Sequence, residues 1–291
     1  MPIIDIHIHL SDIESFHHTA RELSGVDYSV AGLQSEFERN DVILGVGMGV
    51  QEQTKGAFPD KDALNPMRLD LADPMPPFLM ECVGINPVQL AGSDGLQQLD
   101  AIEKRLASRN VAGIKLYAGY YHYYVTDPIY GAVYELAKQY DLPVVIHTGD
   151  TYSIDGLLKY SHPLTVDELA YQQRGVRFML CHLGDPWVMD AAEVVAKNPN
   201  VFADLSGLVV GDRLKFDRFM NEPLFMDHFR RALVYADNYE KMLFGTDWPL
   251  APIDVYIDFV KHLIPEKHQD NVFYNNALRV FPKIAQFLAE R

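Results

Sequence analysis

Six side chains that could do chemistry each stand at the end of an apolar run: His7, His9, Lys115, His147, His182 and Asp247. Over residues 3–9 the chain alternates, with Ile4, Ile6 and Ile8 on one side and Asp5, His7 and His9 on the other. Side chains two apart on a strand share a face, so His7 and His9 are predicted to stand one above the other. Two such imidazoles repel when both are charged, whereas neutral imidazoles are good ligands for divalent metals. A lone His-x-His pair also fits two hydrogen-bonded core histidines. The metal reading gains weight because His147, His182 and Asp247 also end strand-like runs. If those runs belong to one parallel sheet, all of these donors share one rim.

The elements that must position them follow from the hydrophobic pattern. Strands are predicted over residues 3–9, 41–48, 78–85, 111–117, 142–147, 176–182, 200–205 and 241–247. Helices are predicted over 27–40, 93–109, 128–140, 165–173, from 185 through 197, and over 222–236, 253–264 and 271–288. Residues 11–24 read as a polar loop in which His17 and His18 could approach a metal, and 51–77 as a long loop with one short helix around 61–71. Eight strands alternating with helices, with no break in composition, predict an α/β fold: a single (β/α)8 TIM barrel spanning 1–291. An open doubly wound sheet is the rival, but it would carry an early glycine-rich phosphate loop, and none is present. In such barrels chemistry sits at the carboxyl ends of the strands, where the six residues fall. Leu180 is predicted to share the face of His182, with Cys181 opposite, and Gly245 to share the face of Asp247.

Composition narrows the partners. A net charge of −15 argues against nucleic acid and anionic membrane, both of which need positive charge. It leaves room for a small-molecule substrate, even an anionic one, since a metal or a local cation reverses the field inside a pocket. No stretch is long and apolar enough to span a bilayer, and the first residues read as a core strand rather than a signal peptide. Cys82 and Cys181 lie in apolar runs and are expected to be buried free thiols of a cytoplasmic protein.

The motifs carry a family resemblance. DIHIH at 5–9, VIHTG at 145–149, CHLG at 181–184, NVFADLSG at 200–207, FGTDWP at 244–249 and NNAL at 275–278 before Phe281 resemble the amidohydrolase superfamily. The resemblance is to the branch of aminocarboxymuconate-semialdehyde decarboxylase and related metal-dependent hydrolases, and it spans nearly the whole chain. It implies that His7, His9, His147 and Asp247 hold one divalent ion, zinc first and manganese second, with an acidified water completing the site. Asp247 would accept the water's proton, and His182 would stabilise developing charge or protonate a leaving group.

Lys115 has three readings. The stretch AGIKLY at 112–117 resembles the dihydroorotase strand whose lysine is carboxylated to bridge two metals, which would add a second ion with His182 as its ligand. Alternatively Lys115 binds a substrate carboxylate, or it is a structural lysine paired with an Asp. Tyr117 and Trp248 are expected to line the substrate pocket, and the tyrosine-rich loop 120–124 to wall it or to form a homodimer contact. Asp150 and Asp185 could orient imidazoles or cap helices, and Asp5 is expected to point into the barrel below His7.

The expected activity is metal-dependent hydrolysis of a C–N or C–O bond (amide, lactone or ester) in a small carboxylate-bearing molecule. The rival is a decarboxylase using the same site. A metal-free lactonase or a non-catalytic binding barrel stands further off, because no ligand is missing.

Overall fold

Runs of Val, Ile, Leu and Met, apolar on both faces as strands of a covered parallel sheet must be, form eight strands in the computed structural model, which describes residues 2–290. They are β1 (Ile3–Ile8), β2 (Val42–Met48), β3 (Leu79–Ile85), β4 (Val111–Leu116), β5 (Val144–Ile146), β6 (Phe178–Leu180), β7 (Val201–Asp204) and β8 (Met242–Leu243). All pairs are parallel and the spatial order is the chain order. Backbone bonds from Ile6 N to Phe244 O (3.1 Å), Asp247 N to His7 O (2.8 Å) and His9 N to Trp248 O (2.7 Å) join the residues just after β8 back to β1 and the residue that follows it. The fold is the (β/α)8 barrel.

Two apolar layers hold it. Inside, Ile4, Val46, Met80, Val145 and Met179 pack together and are plugged from one end by Phe281 and Ile284. Outside, strand residues such as Val83, Ile114, Ile146 and Leu180 pack against the surrounding helices, for example on Phe37 and Ile102. The helix Val30–Arg39 is started by Ser29, whose hydroxyl accepts from Gly32 N at 3.0 Å.

The alternation of residues 3–9 is broken. Ile4 and Ile6 pack in the inner layer, whereas Ile8 packs in the outer one. The pairing of β1 with β2 slips by one residue between Asp5 and Ile8, as at a β-bulge. That slip lets His7 follow Ile6 into the interior.

Other elements also differ from expectation. Residues 11–24 hold a helix (Glu14–Thr19) that runs into a π-turn (Ala20–Ser24), because Phe16 buries itself against the ring of His9 at 4.6 Å. No helix forms around 61–71; Met67 instead bridges to Gly84. The helix Arg213–Met220 was not signalled by the apolar pattern, and among the described residues no helix is long and apolar enough to cross a membrane.

Candidate metal and catalytic site

A cavity of about 120 Å³ opens at the carboxyl end of the barrel. Its floor is His7, His9, Lys115, His147, His182 and Asp247; its wall is largely aromatic and aliphatic, with Phe16, Phe58, Tyr117 and Tyr120. The six residues singled out from the sequence therefore do converge. Tyr117 lines the cavity as expected, and Tyr120 walls it with its ring 4.9 Å from that of His147. Trp248 does not line it. It is wholly buried, and its indole N–H donates to Glu36 Oε1 at 3.1 Å. His17 and His18 lie apart from the site, His17 being paired with Asp12 at 2.9 Å.

Three donors form a compact set. His7 Nε2 stands 3.4 Å and His9 Nε2 3.0 Å from Asp247 Oδ1. His7 Nε2 and Asp247 Oδ1 are buried, and neither has an aligned hydrogen-bond partner. Buried polar atoms are almost always satisfied, so a cluster of unpaired acceptors at the floor of a cavity is where a cation fits. His147 stands outside that compact set. Its Nε2 is engaged by the carbonyl of Asp150 at 2.8 Å, which leaves Nδ1 as the nitrogen it can offer a metal.

Backbone turns, not strand parity, aim two of the six. β6 ends at Leu180, and Cys181 belongs to the inner layer whereas Leu180 faces out, the reverse of the parity predicted for His182. His182 nevertheless reaches the site because its backbone is left-handed (φ 60°), and Asp247 does the same at φ 62°. Gly207 (φ 67°) sits where glycine is favoured, and a Cβ there would lie 2.7 Å from both Asp247 Oδ2 and His182 Nδ1. Gly245 keeps the wall small, since a Cβ would meet His7 Cβ at 2.8 Å.

Asp204 and Ser206, quoted above only within a motif, turn out to be central. Asp204 Oδ2 is 2.9 Å from His7 Nδ1, and its Oδ1 accepts from the His182 and Ser206 N–H groups and from the Ser206 hydroxyl. Sequence offered no signal for this, because Asp204 and His7 are almost two hundred residues apart. Asp5, expected to point into the barrel below His7, is wholly buried and accepts from the His7 N–H at 3.2 Å, the Thr246 N–H at 3.0 Å and the Thr246 hydroxyl at 2.6 Å. Neither carboxylate of Asp150 or Asp185 orients an imidazole of the site: Asp150 reaches His147 through its carbonyl, and the Asp185 carboxylate pairs with His228 at 2.9 Å.

Charge states suit a cation. Burial, helped by the charge of Lys115, pushes the His7 pKa down to about 4. Burial likewise lowers His9, and with the charges of His182 and Lys115 holds His147 well below its ordinary value. Burial alone would raise Asp247 and Asp204, but the facing histidines outweigh it, and both carboxyls sit well below the usual range. His7, His9 and His147 thus present neutral imidazoles beside an ionised Asp247 at neutral pH. Lys115 is buried, has no carboxylate partner among the described residues, and donates from Nζ to Cys181 Sγ at 2.9 Å. With that ammonium already on its sulfur, Cys181 is a poor second-metal ligand although it lies near His7 and His182. Cys181 and Cys82 are both free and buried.

Solved structures share the architecture. An uncharacterised TIM-barrel protein from Bordetella bronchiseptica matches with a TM-score of 0.70 at 17% identity, over 98% of this chain and 100% of that one. An amidohydrolase from Burkholderia multivorans with bound zinc matches at 0.65 and 16%, over 97% and 99% of the chains. A 2,6-dihydroxybenzoate decarboxylase from Rhizobium matches at 0.63 and 14%, also over 97% and 99%. No curated protein matches in sequence. The amidohydrolase family model matches residues 4–283, nearly the full length and every motif of the site, and the chain belongs to that family.

Proposed function

We propose that this protein is a metal-dependent hydrolase that cleaves a C–N or C–O bond in a small molecule carrying one carboxylate. The observation that carries the reading is the pair of buried, unpaired acceptors, His7 Nε2 and Asp247 Oδ1, beside His9 at the floor of an apolar cavity. His7, His9, His147 and Asp247 would hold a divalent ion, zinc before manganese. When bound, such an ion acidifies water and polarises a substrate oxygen. The zinc in the Burkholderia multivorans structure supports the choice of metal.

The chain's own residues supply the rest. Asp247, kept ionised, is a proton acceptor at the floor. His182, with Nδ1 engaged by Ser206, has Nε2 left to take up a proton and pass it to a leaving group. Lys115 is a single cation that can pair with one substrate carboxylate, and Tyr117 and Tyr120 shape the wall beside it. About 120 Å³ is close to the space of one six-membered ring, since an apolar void of about 150 Å³ takes up benzene. The apolar wall excludes bulk water from that ring.

One observation favours a second reading, decarboxylation. The wall is apolar and aromatic and the substrate's carboxylate would be desolvated beside a lone lysine, an environment that also suits loss of carbon dioxide; the Rhizobium neighbour is a decarboxylase. One experiment separates the two. Zinc-loaded protein is incubated in ¹⁸O-water with monocyclic lactones, amides, esters and aromatic carboxylates. Solvent oxygen in the organic product supports hydrolysis, and release of carbon dioxide with no solvent oxygen in the organic product supports the lyase. Metal analysis of wild type and His7→Ala accompanies it; wild type that takes up no zinc or manganese would remove both readings.

A further inference from the structure

We infer that Asp204 and Ser206, at the end of β7, form one positioning device that sets the tautomers of both His7 and His182. Each ring keeps its hydrogen on Nδ1 and leaves Nε2 as the lone-pair nitrogen. The inference deepens the reading above, in which His7 is a metal ligand and His182 handles a proton.

The argument is a count of hydrogens. Asp204 is wholly buried and, as a carboxylate, can only accept. Its Oδ1 already takes three donors: His182 N at 2.9 Å, Ser206 N at 3.0 Å and Ser206 Oγ at 2.6 Å. Its Oδ2 faces His7 Nδ1 at 2.9 Å, so the hydrogen between them must be the histidine's. Ser206 has one hydroxyl hydrogen, and its shortest contact places it on Asp204. Toward the two rings Ser206 Oγ is then an acceptor, 3.0 Å from His7 Nδ1 and 2.9 Å from His182 Nδ1. The Ser206 carbonyl, 3.0 Å from His182 Nδ1, is a second acceptor there. Every group facing either Nδ1 therefore accepts, and a bare Nδ1 would set lone pair against lone pair in a buried site.

The same count says what a single atom change does. In Asp204→Asn the three donors hold the amide oxygen at the Oδ1 position, so the NH₂ must face His7 Nδ1. His7 then meets a donor and is driven to the other tautomer, with a hydrogen on Nε2 where a metal's lone pair is needed. Asp204 and Ser206 are positioning residues in this scheme, because they act through the two histidines.

The test uses the full chain, ¹⁵N-labelled, first free of metal and then titrated with zinc. Two-bond proton–nitrogen correlation spectra report each histidine's tautomer, with His7 and His182 assigned from the signals lost in His7→Gln and His182→Gln. Metal-free wild type is expected to show Nδ1–H at both rings; an Nε2–H tautomer at either overturns the inference, and this arm needs no variant to fold. Folded Asp204→Asn is expected to switch His7 to Nε2–H and to bind zinc about 10–100-fold more weakly. Unchanged His7 signals or unchanged zinc affinity there would also overturn it. Ser206→Ala, which leaves the Asp204–His7 contact in place, is expected to keep zinc binding within a few-fold of wild type, and a loss as large as that of Asp204→Asn would refute the division of labour. If wild type shows both tautomers as inferred but takes up no zinc, the metal reading fails and the positioning device stands.

Discussion

Glu36 carries a load that its place on a surface helix does not suggest. Its carboxylate, on Val30–Arg39, is 6% exposed and accepts from Trp248 Nε1 at 3.1 Å and from Ile253 N at 2.8 Å. One acid thereby ties down the loop that bears Asp247 and caps the first turn of the helix Ile253–Leu263. Glu36→Ala strands both donors in a buried site. An unsatisfied buried N–H costs roughly 1–3 kcal/mol, so the pair should cost about 2–6 kcal/mol. At about 2 °C per kcal/mol for a chain of this size, the melting temperature should fall by about 4–12 °C. Urea unfolding of the metal-free protein measures it directly. Trp248→Phe supplies the control: it removes the indole donor, so Glu36→Ala in that background should cost about 1–3 kcal/mol less. The pH dependence has a definite sign. Burial raises the Glu36 pKa despite its two donors, so the folded state keeps this proton to higher pH than the unfolded chain. The group's contribution is fullest below the unfolded value near ~4.3 and declines as pH rises through the folded value, so the gap between wild type and Glu36→Ala should narrow toward neutrality. A cost below about 0.5 kcal/mol, the range of an ordinary surface substitution, or no coupling to Trp248, would refute the reasoning.

Three further outcomes are expected. Because burial holds His7 near 4 rather than 6.5, protons compete for the ligands late, and bound zinc should stay in place from neutrality down to about pH 5. Half-release near 6.5, followed with a chromophoric chelator, would show that the imidazoles are not depressed. Lys115→Met should weaken calorimetric binding of benzoate to zinc-loaded protein by about 10–100-fold, the range of a charge-assisted hydrogen bond, with one equivalent of zinc retained. If zinc instead drops from two equivalents to one, Lys115 is a carboxylated bridge. Gly207→Ala adds a left-handed alanine, costing about 1–2 kcal/mol, and a Cβ that must push Asp247 or His182 aside. It should lower zinc affinity in a protein that still folds, and undiminished affinity would mean that the 2.7 Å contacts relax without consequence.

The fold was legible because its signals are local and repeated. Eight apolar runs of strand length, each followed by a helical pattern, leave few topologies, and a ligand at the end of a run needs only that run to be placed. What escaped was set by contacts distant in sequence or by single backbone angles. Alternation in residues 3–9 gave no hint of the slip after Asp5, because a bulge is decided by pairing with β2. His182 was assigned to a face by parity, yet a left-handed residue puts it in the site. Trp248 follows Asp247 in sequence but turns outward to Glu36, which only the packed helix could reveal. Asp204 and Ser206 stand in a motif that says nothing of their partners, which lie far away in the chain at His7 and nearer at His182.

The barrel is uneven around its circumference. Strands β1 to β4 run six or seven residues each, whereas β5 to β8 run three, three, four and two. The shortest, β8, meets β1 at the seam where the ring closes, with few backbone bonds and the Asp5–Thr246 contacts to hold it. Amide deuterium uptake should therefore be fastest along β8 and its β1 neighbour, the part of the ring able to open without global unfolding. His7 and His9 lie on one side of that seam and Asp247 on the other. An ion shared among them spans the weakest joint, so adding zinc should slow deuterium uptake there more than in β2 to β4. The cation that equips the cavity for chemistry would then also be the rivet that keeps the ring shut.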